Sequence, residues 1–125
     1  MAIIKAPSMQ DRVYVGAHGN VSIAKAKAVL AAAAIGTEVQ LLELPIGMDV
    51  QGIRITTENL GASVTGTVKI GDKEIKTGVV LSSAATIDIP CDEYLEEKAV
   101  LSITIAGAAA SGTLKVNTTY LAVGY

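Results

Sequence analysis

The chain has 125 residues and a formal net charge of −2, with charges of both signs mixed along its length. That length makes one domain with room for a single core. The charge balance excludes a nucleic-acid binder, which needs a basic stripe to neutralise phosphates, and electrostatic docking on anionic membrane.

Half of the residues are hydrophobic, yet there is no Trp, no Phe and only four Tyr, so the apolar content is Ala, Val, Ile and Leu. β-Branched residues favour strands. Ala and Gly let backbones approach closely but bury little area each. A core that thin is expected to share buried surface between subunits. With Cys91 as the single cysteine, no intrachain disulfide forms and no oxidising compartment is required.

Residues 1–21 mix polar, apolar and turn residues around Pro7, Gly16, Gly19 and Asn20. They read as an N-terminal arm with one short strand at 12–15. Such an arm either packs on a neighbouring subunit or frays. Residues 22–35 fit a helix by composition, with Ser22 as a cap. They also alternate Ile23, Lys25 and Lys27 with Ala24, Ala26 and Ala28, as a strand does. The strand is the preferred reading. The same stretch mimics a signal-peptide core with a basic flank, but it starts too late, and its uncharged run is far short of the ~20 residues that span a membrane.

From residue 37 the alternation is clearer. Val39 and Leu41 face one way and Glu38 and Gln40 the other, before Leu42 and Leu44 switch phase, which predicts a bulge or a strand buried on both faces. After a turn at 45–47, residues 50–57 set Ile53 and Ile55 opposite Arg54. Residues 63–70 alternate through Val64, Val68 and Ile70, and Gly71-Asp72 then predicts a type II′ hairpin into 73–81. Residues 85–89 form a further strand that Pro90 is expected to end. The acidic segment 91–98 is expected to make one helical turn, 99–105 a strand with Leu101, Ile103 and Ile105 inward, and 107–112 a loop of small residues. The longest alternation, Leu114, Val116, Thr118, Tyr120 and Ala122, closes the chain. About eight strands at ~8–12-residue spacing imply a sandwich or small barrel. No long amphipathic helix separates them, so a βαβ fold is excluded.

Catalytic types are sparse. His18, the single His, stands between Gly16 and Asn20 with no evident partner. Cys91 adjoins Asp92 and Glu93, whose charges oppose thiolate formation. A Ser–His–Asp arrangement is compatible with the spacing, but no nucleophile elbow is present. Asp88, Asp92, Glu93, Glu96 and Glu97 could hold Ca²⁺ through oxygen atoms, though without EF-hand spacing, and a solvated loop or inter-subunit pairing with Lys69, Lys73 or Lys76 competes with that reading. There is no P-loop, and four Tyr make a poor platform for sugars.

Four stretches carry a family resemblance: Ile35-Gly-Thr-Glu-Val-Gln-Leu-Leu-Glu-Leu-Pro-Ile-Gly47, Val50-Gln-Gly-Ile-Arg-Ile55, Leu60-Gly-Ala-Ser-Val-Thr-Gly-Thr-Val-Lys-Ile-Gly-Asp72 and Ala108-Ala-Ala-Ser-Gly-Thr-Leu-Lys-Val-Asn-Thr-Thr-Tyr120. Their order over residues 28–123 resembles small virion structural proteins of tailed bacteriophages, of the head-decoration or capsid-associated β-sandwich type. The acidic segment 91–98 is longer than that pattern expects.

The expected fold is all-β: an antiparallel, jelly-roll-like β-sandwich over 22–125 with an arm at 1–21. The resemblance implies a capsid decoration or cementing protein made in the host cytoplasm and bound on the virion surface. Its partner would be the major capsid protein or another virion protein. It would act as a homo-oligomer, a trimer by preference, with no cofactor, metal, nucleic acid or membrane. A tail, collar or fibre component and a glycan- or Ca²⁺-binding module are the alternatives. Candidate subunit or coat contacts are Arg12 and Tyr14 in the arm, Ala108, Ala109 and Ala110 in the small-residue loop, and Tyr125.

Overall fold

The structure, a computed structural model, describes residues 3–10, 13 and 21–122. Among them are nine strands: β1 (Ile3–Lys5), β2 (Val21–Ala33), β3 (Glu38–Leu44), β4 (Met48–Thr57), β5 (Thr65–Ile70), β6 (Lys73–Val80), β7 (Ala85–Tyr94), β8 (Ala99–Ala106) and β9 (Ala110–Ala122). They form a five-stranded sheet in the order β1-β3-β8-β5-β6 and a four-stranded sheet in the order β2-β9-β4-β7. Every pairing is antiparallel except β1 with β3. This is the expected jelly-roll-like β-sandwich, with one strand more than the alternation announces.

Successive strands alternate between the sheets, and only β5 and β6 are consecutive strands paired in one sheet. Each strand therefore needs one apolar face for the space between the sheets, which is the origin of the period-two pattern. The core is aliphatic: Val39, Leu41, Leu101, Ile103, Ile105 and Val68 from one sheet meet Val50, Ile55, Leu114 and Val116 from the other, all essentially inaccessible. Each such side chain contributes roughly 1.5–3 kcal/mol relative to exposure. Tyr120 is the largest fully buried side chain.

The phase switch in β3 is a bulge. Its register against β8 shifts between Gln40 and Leu42, so that Leu41 and Leu42 are both buried. Ser8, in a short 3-10 turn (Pro7–Gln10), donates its hydroxyl to the Leu41 carbonyl at 2.6 Å. The β5–β6 connection has Gly71 at φ +60° while Asp72 has no positive φ, the combination of a type II′ turn.

Three local expectations are corrected. Pro90 does not end its strand: β7 runs on to Tyr94, because β7 is an edge strand and a missing N–H is tolerated there. The acidic segment forms no helical turn. Its first four residues complete β7, and Leu95 is pinned by backbone bonds with Gly47 and Met48 at 3.0 and 2.9 Å. The small-residue loop is shorter than expected, since β9 already starts at Ala110. Within the arm, β1 and Ala6 pack on this chain's own sheet, and the short strand expected at 12–15 lies outside the described residues apart from Val13, which is not in a strand.

Candidate assembly surfaces

Several polar and charged side chains on β4, β6 and β7 are engaged with one another within the chain. Arg54 Nε donates to Asp88 at 2.7 Å across the β4–β7 pair, and that hydrogen bond and charge raise the guanidinium pKa further above its ordinary value. Gln51 donates to Asp49 and Asp92, both at 2.9 Å. Lys73 Nζ stands 2.8 Å from both carboxylate oxygens of Glu93. Lys73 thus pairs inside the chain, linking β6 of one sheet to β7 of the other. The half-buried Cys91 thiol is pushed up, first by burial and then by Glu93, Asp92 and Asp49. Among the described residues no three His, Cys, Asp or Glu side chains gather into a metal-binding group. His18 lies outside the described residues.

What is left open is surface. The inward face of β2 is its alanine side, with Ala26 and Ala28 buried, so Val21, Ile23 and Val29 point outward at 59–68% exposure. Register across the four-stranded sheet puts Ile23 beside Thr119, Thr119 beside Gly52, and Gly52 beside Pro90. The adjacent row runs Val21, Leu121, Asp49 and Tyr94. Over Gly52 lies a shallow depression of about 320 Å³ rimmed by Ile23, Thr119 and Pro90. Nothing inside the chain demands glycine there: a Cβ would meet only the Ile89 carbonyl, at 3.8 Å, and φ is not positive. Glycine inside a strand is unfavourable by roughly 0.5–1 kcal/mol relative to alanine. It commonly marks close approach by another molecule.

Two further grooves carry opposite charge. One, of about 730 Å³, runs between the 3-10 turn and β2 and is lined by Lys25, Lys27 and Lys115 beside Val29, with no carboxylate among its described lining residues. The other, of about 750 Å³, gathers Glu38, Glu43, Asp72, Glu93, Glu96 and Glu97 against Lys73 and Lys98.

Of the contact residues read from sequence, Arg12, Tyr14 and Tyr125 lie outside the described residues. Ala109 is exposed and Ala108 half-buried, at the turn into β9. Ala110 is fully buried and stands opposite Ala33 in the β2–β9 ladder, so its methyl belongs to the core and not to a surface loop. The outward Val21, Ile23 and Val29 were missed as surface residues. Hydropathy argues for burying them, and only the alternation with alanine gives the face away.

No protein-family model and no curated protein matches the sequence. Solved structures do match in fold. A chain of the capsid of Ralstonia phage GP4 superposes with TM-score 0.75 at 15% identity, over 99% of this chain and 100% of that one. A chain of the cyanophage Pam1 capsid asymmetric unit gives 0.58 at 21% identity, over 90% and 94%. A chain of the acid-stable capsid of Helicobacter pylori bacteriophage KHP30 gives 0.56 at 17%, over 86% and 92%. The chain thus has a β-sandwich fold that occurs in phage capsids. At these identities the fold is what is shared.

Proposed function

We propose that this chain is a non-enzymatic structural protein of a bacteriophage virion, and within that class a decoration or cementing protein on the outer shell. The observation that carries the reading is the end-to-end match to a chain of a phage capsid, with neither chain left over. The outward apolar residues on the four-stranded sheet supply a docking face for coat protein, centred on Ile23 and the depression over Gly52. Contacts of that kind exist only on the assembled shell. By linkage they stabilise the shell over its free subunits, and bridging adjacent coat subunits resists pressure from packaged DNA. The chain would be made in the host cytoplasm and act as a homo-oligomer, a trimer by preference.

The second reading is that the chain is itself a shell-building coat protein, which the capsid neighbours equally favour. Particles produced without this chain separate the two. A decoration protein leaves shells that form and then take up the added chain, whereas a coat protein leaves no shells. Gold labelling of intact and tailless particles places the chain on head or tail. Label confined to tails moves the role to a tail or collar component, and unlabelled particles reject a virion role.

A further inference from the structure

We propose that copies of this chain bind one another head to tail, the basic groove beside β2 of one copy docking on the acidic groove of the next. The inference rests on the self-association in the reading above and not on the virion location.

The basic groove carries an internal conflict. Lys27 of β2 stands directly opposite Lys115 of β9, with Lys25 one step along the same face. Like charges facing each other across a strand pair are destabilising. Among the described residues the ion pairs are Arg54–Asp88 and Lys73–Glu93, and neither relieves these lysines. Among the described residues the one carboxylate near them is Glu58, which shares a cleft with Lys27 and Lys115 and already accepts from the Thr113 amide, so the three lysines outnumber it and fit an anionic surface brought from outside.

The chain supplies such a surface. In the acidic groove Glu43, Asp72, Glu96 and Glu97 are exposed, and Lys73 is already taken up by Glu93. Each groove also has a large exposed apolar neighbour, Val29 at 68% beside the lysines and Tyr94 at 46% beside the carboxylates. That gives each half an apolar contact with a charged rim.

The charge pattern also selects the symmetry. β2 is the last strand of its sheet among the described residues, and none of those pairs with its outer edge. A two-fold contact of β2 with its own copy would bring the two sets of lysines together. A heterologous contact brings lysines to carboxylates instead. It engages both grooves of every copy and closes into a ring or continues as a filament. A net charge of −2 adds little overall repulsion.

Light scattering on the full chain over a range of salt concentrations tests this, with two variants. One carries Lys25→Glu, Lys27→Glu and Lys115→Glu. The other carries Glu43→Lys, Glu96→Lys and Glu97→Lys. Circular dichroism confirms the fold of each. The wild type is expected above monomer mass at low salt, falling toward monomer as salt rises. Each variant alone is expected to be monomeric. Their equimolar mixture is expected to regain mass above monomer, because each reversed groove meets a reversed partner. An odd-numbered ring cannot alternate two variants, so the readout is mass above monomer and not a particular ring. Folded variants that keep the wild-type mass, or a mixture that stays monomeric, overturn these surfaces while leaving self-association standing. A wild type that is monomeric at every salt concentration overturns self-association as well. None of these outcomes bears on the gold labelling.

Discussion

Pro90 of β7 stands opposite Gly52 of β4 at the step where β4 shifts register against both of its neighbours. A residue without an N–H faces a residue without a side chain, and the result is a dent in an otherwise continuous outer face. Gly52→Leu fills that dent while leaving the strand free of strain, since φ is not positive and the nearest obstacle to a Cβ is 3.8 Å away. The expected outcome is a variant that melts at or slightly above the wild-type temperature and loses affinity for coat shells. Full shell occupancy would remove the depression from the docking face.

Gly66 behaves differently, because its space is occupied. A Cβ there would lie 2.8 Å from Ile103 Cγ2 and 3.0 Å from Leu81 Cδ1, both in the core. Gly66→Ala is expected to destabilise by about 1–3 kcal/mol through overpacking. Ile103→Ala removes the Cγ2 in the way, so the double variant should lose less stability than the sum of the two single losses. Urea midpoints of the single and double variants measure this.

Thr118 is fully buried between Ala24 of β2 and Ile53 of β4, and its hydroxyl has no hydrogen-bond partner among the described residues. Thr118→Val keeps the shape and removes the orphaned group. A gain of roughly 1–2 kcal/mol in unfolding free energy is expected, read as a higher urea midpoint. A loss of stability would mean that the hydroxyl is satisfied.

Burial, and then Glu93, Asp92 and Asp49, raise the Cys91 thiol pKa, while Lys73 lowers it. A thiol with a raised folded pKa favours the folded state fully below the ordinary thiol range. That contribution is lost as pH rises through the folded pKa. Unfolding free energy should therefore decline on the alkaline side, and iodoacetamide should react more slowly at pH 8 than with a free thiol. Glu93→Gln should speed alkylation and Lys73→Met should slow it. The opposite order would contradict the assigned causes.

Much of this fold is legible because the sheets divide each strand into an inner and an outer face. The β9 alternation, the phase slip at Leu41 and Leu42 and the Gly71-Asp72 hairpin are local signals that the structure repeats. β1 is three residues long, too short for any period, and exists because the β3 edge accepts it. The continuation of β7 through Pro90 depends on edge position, a property of the sheet and not of the segment. The candidate surfaces were the least legible. Ile23 faces solvent against its hydropathy, and the charge-opposed grooves assemble residues from distant strands.

The central claim is that this sandwich binds an assembled coat shell and stabilises it. The direct measurement is the melting temperature of coat shells prepared without the chain, titrated with the purified protein. A rise that saturates at a fixed ratio of chain to coat subunit is predicted, with the Gly52→Leu variant shifting the curve to higher concentration. Shells whose melting temperature stays constant through saturating additions, with the chain left in the supernatant, would contradict it.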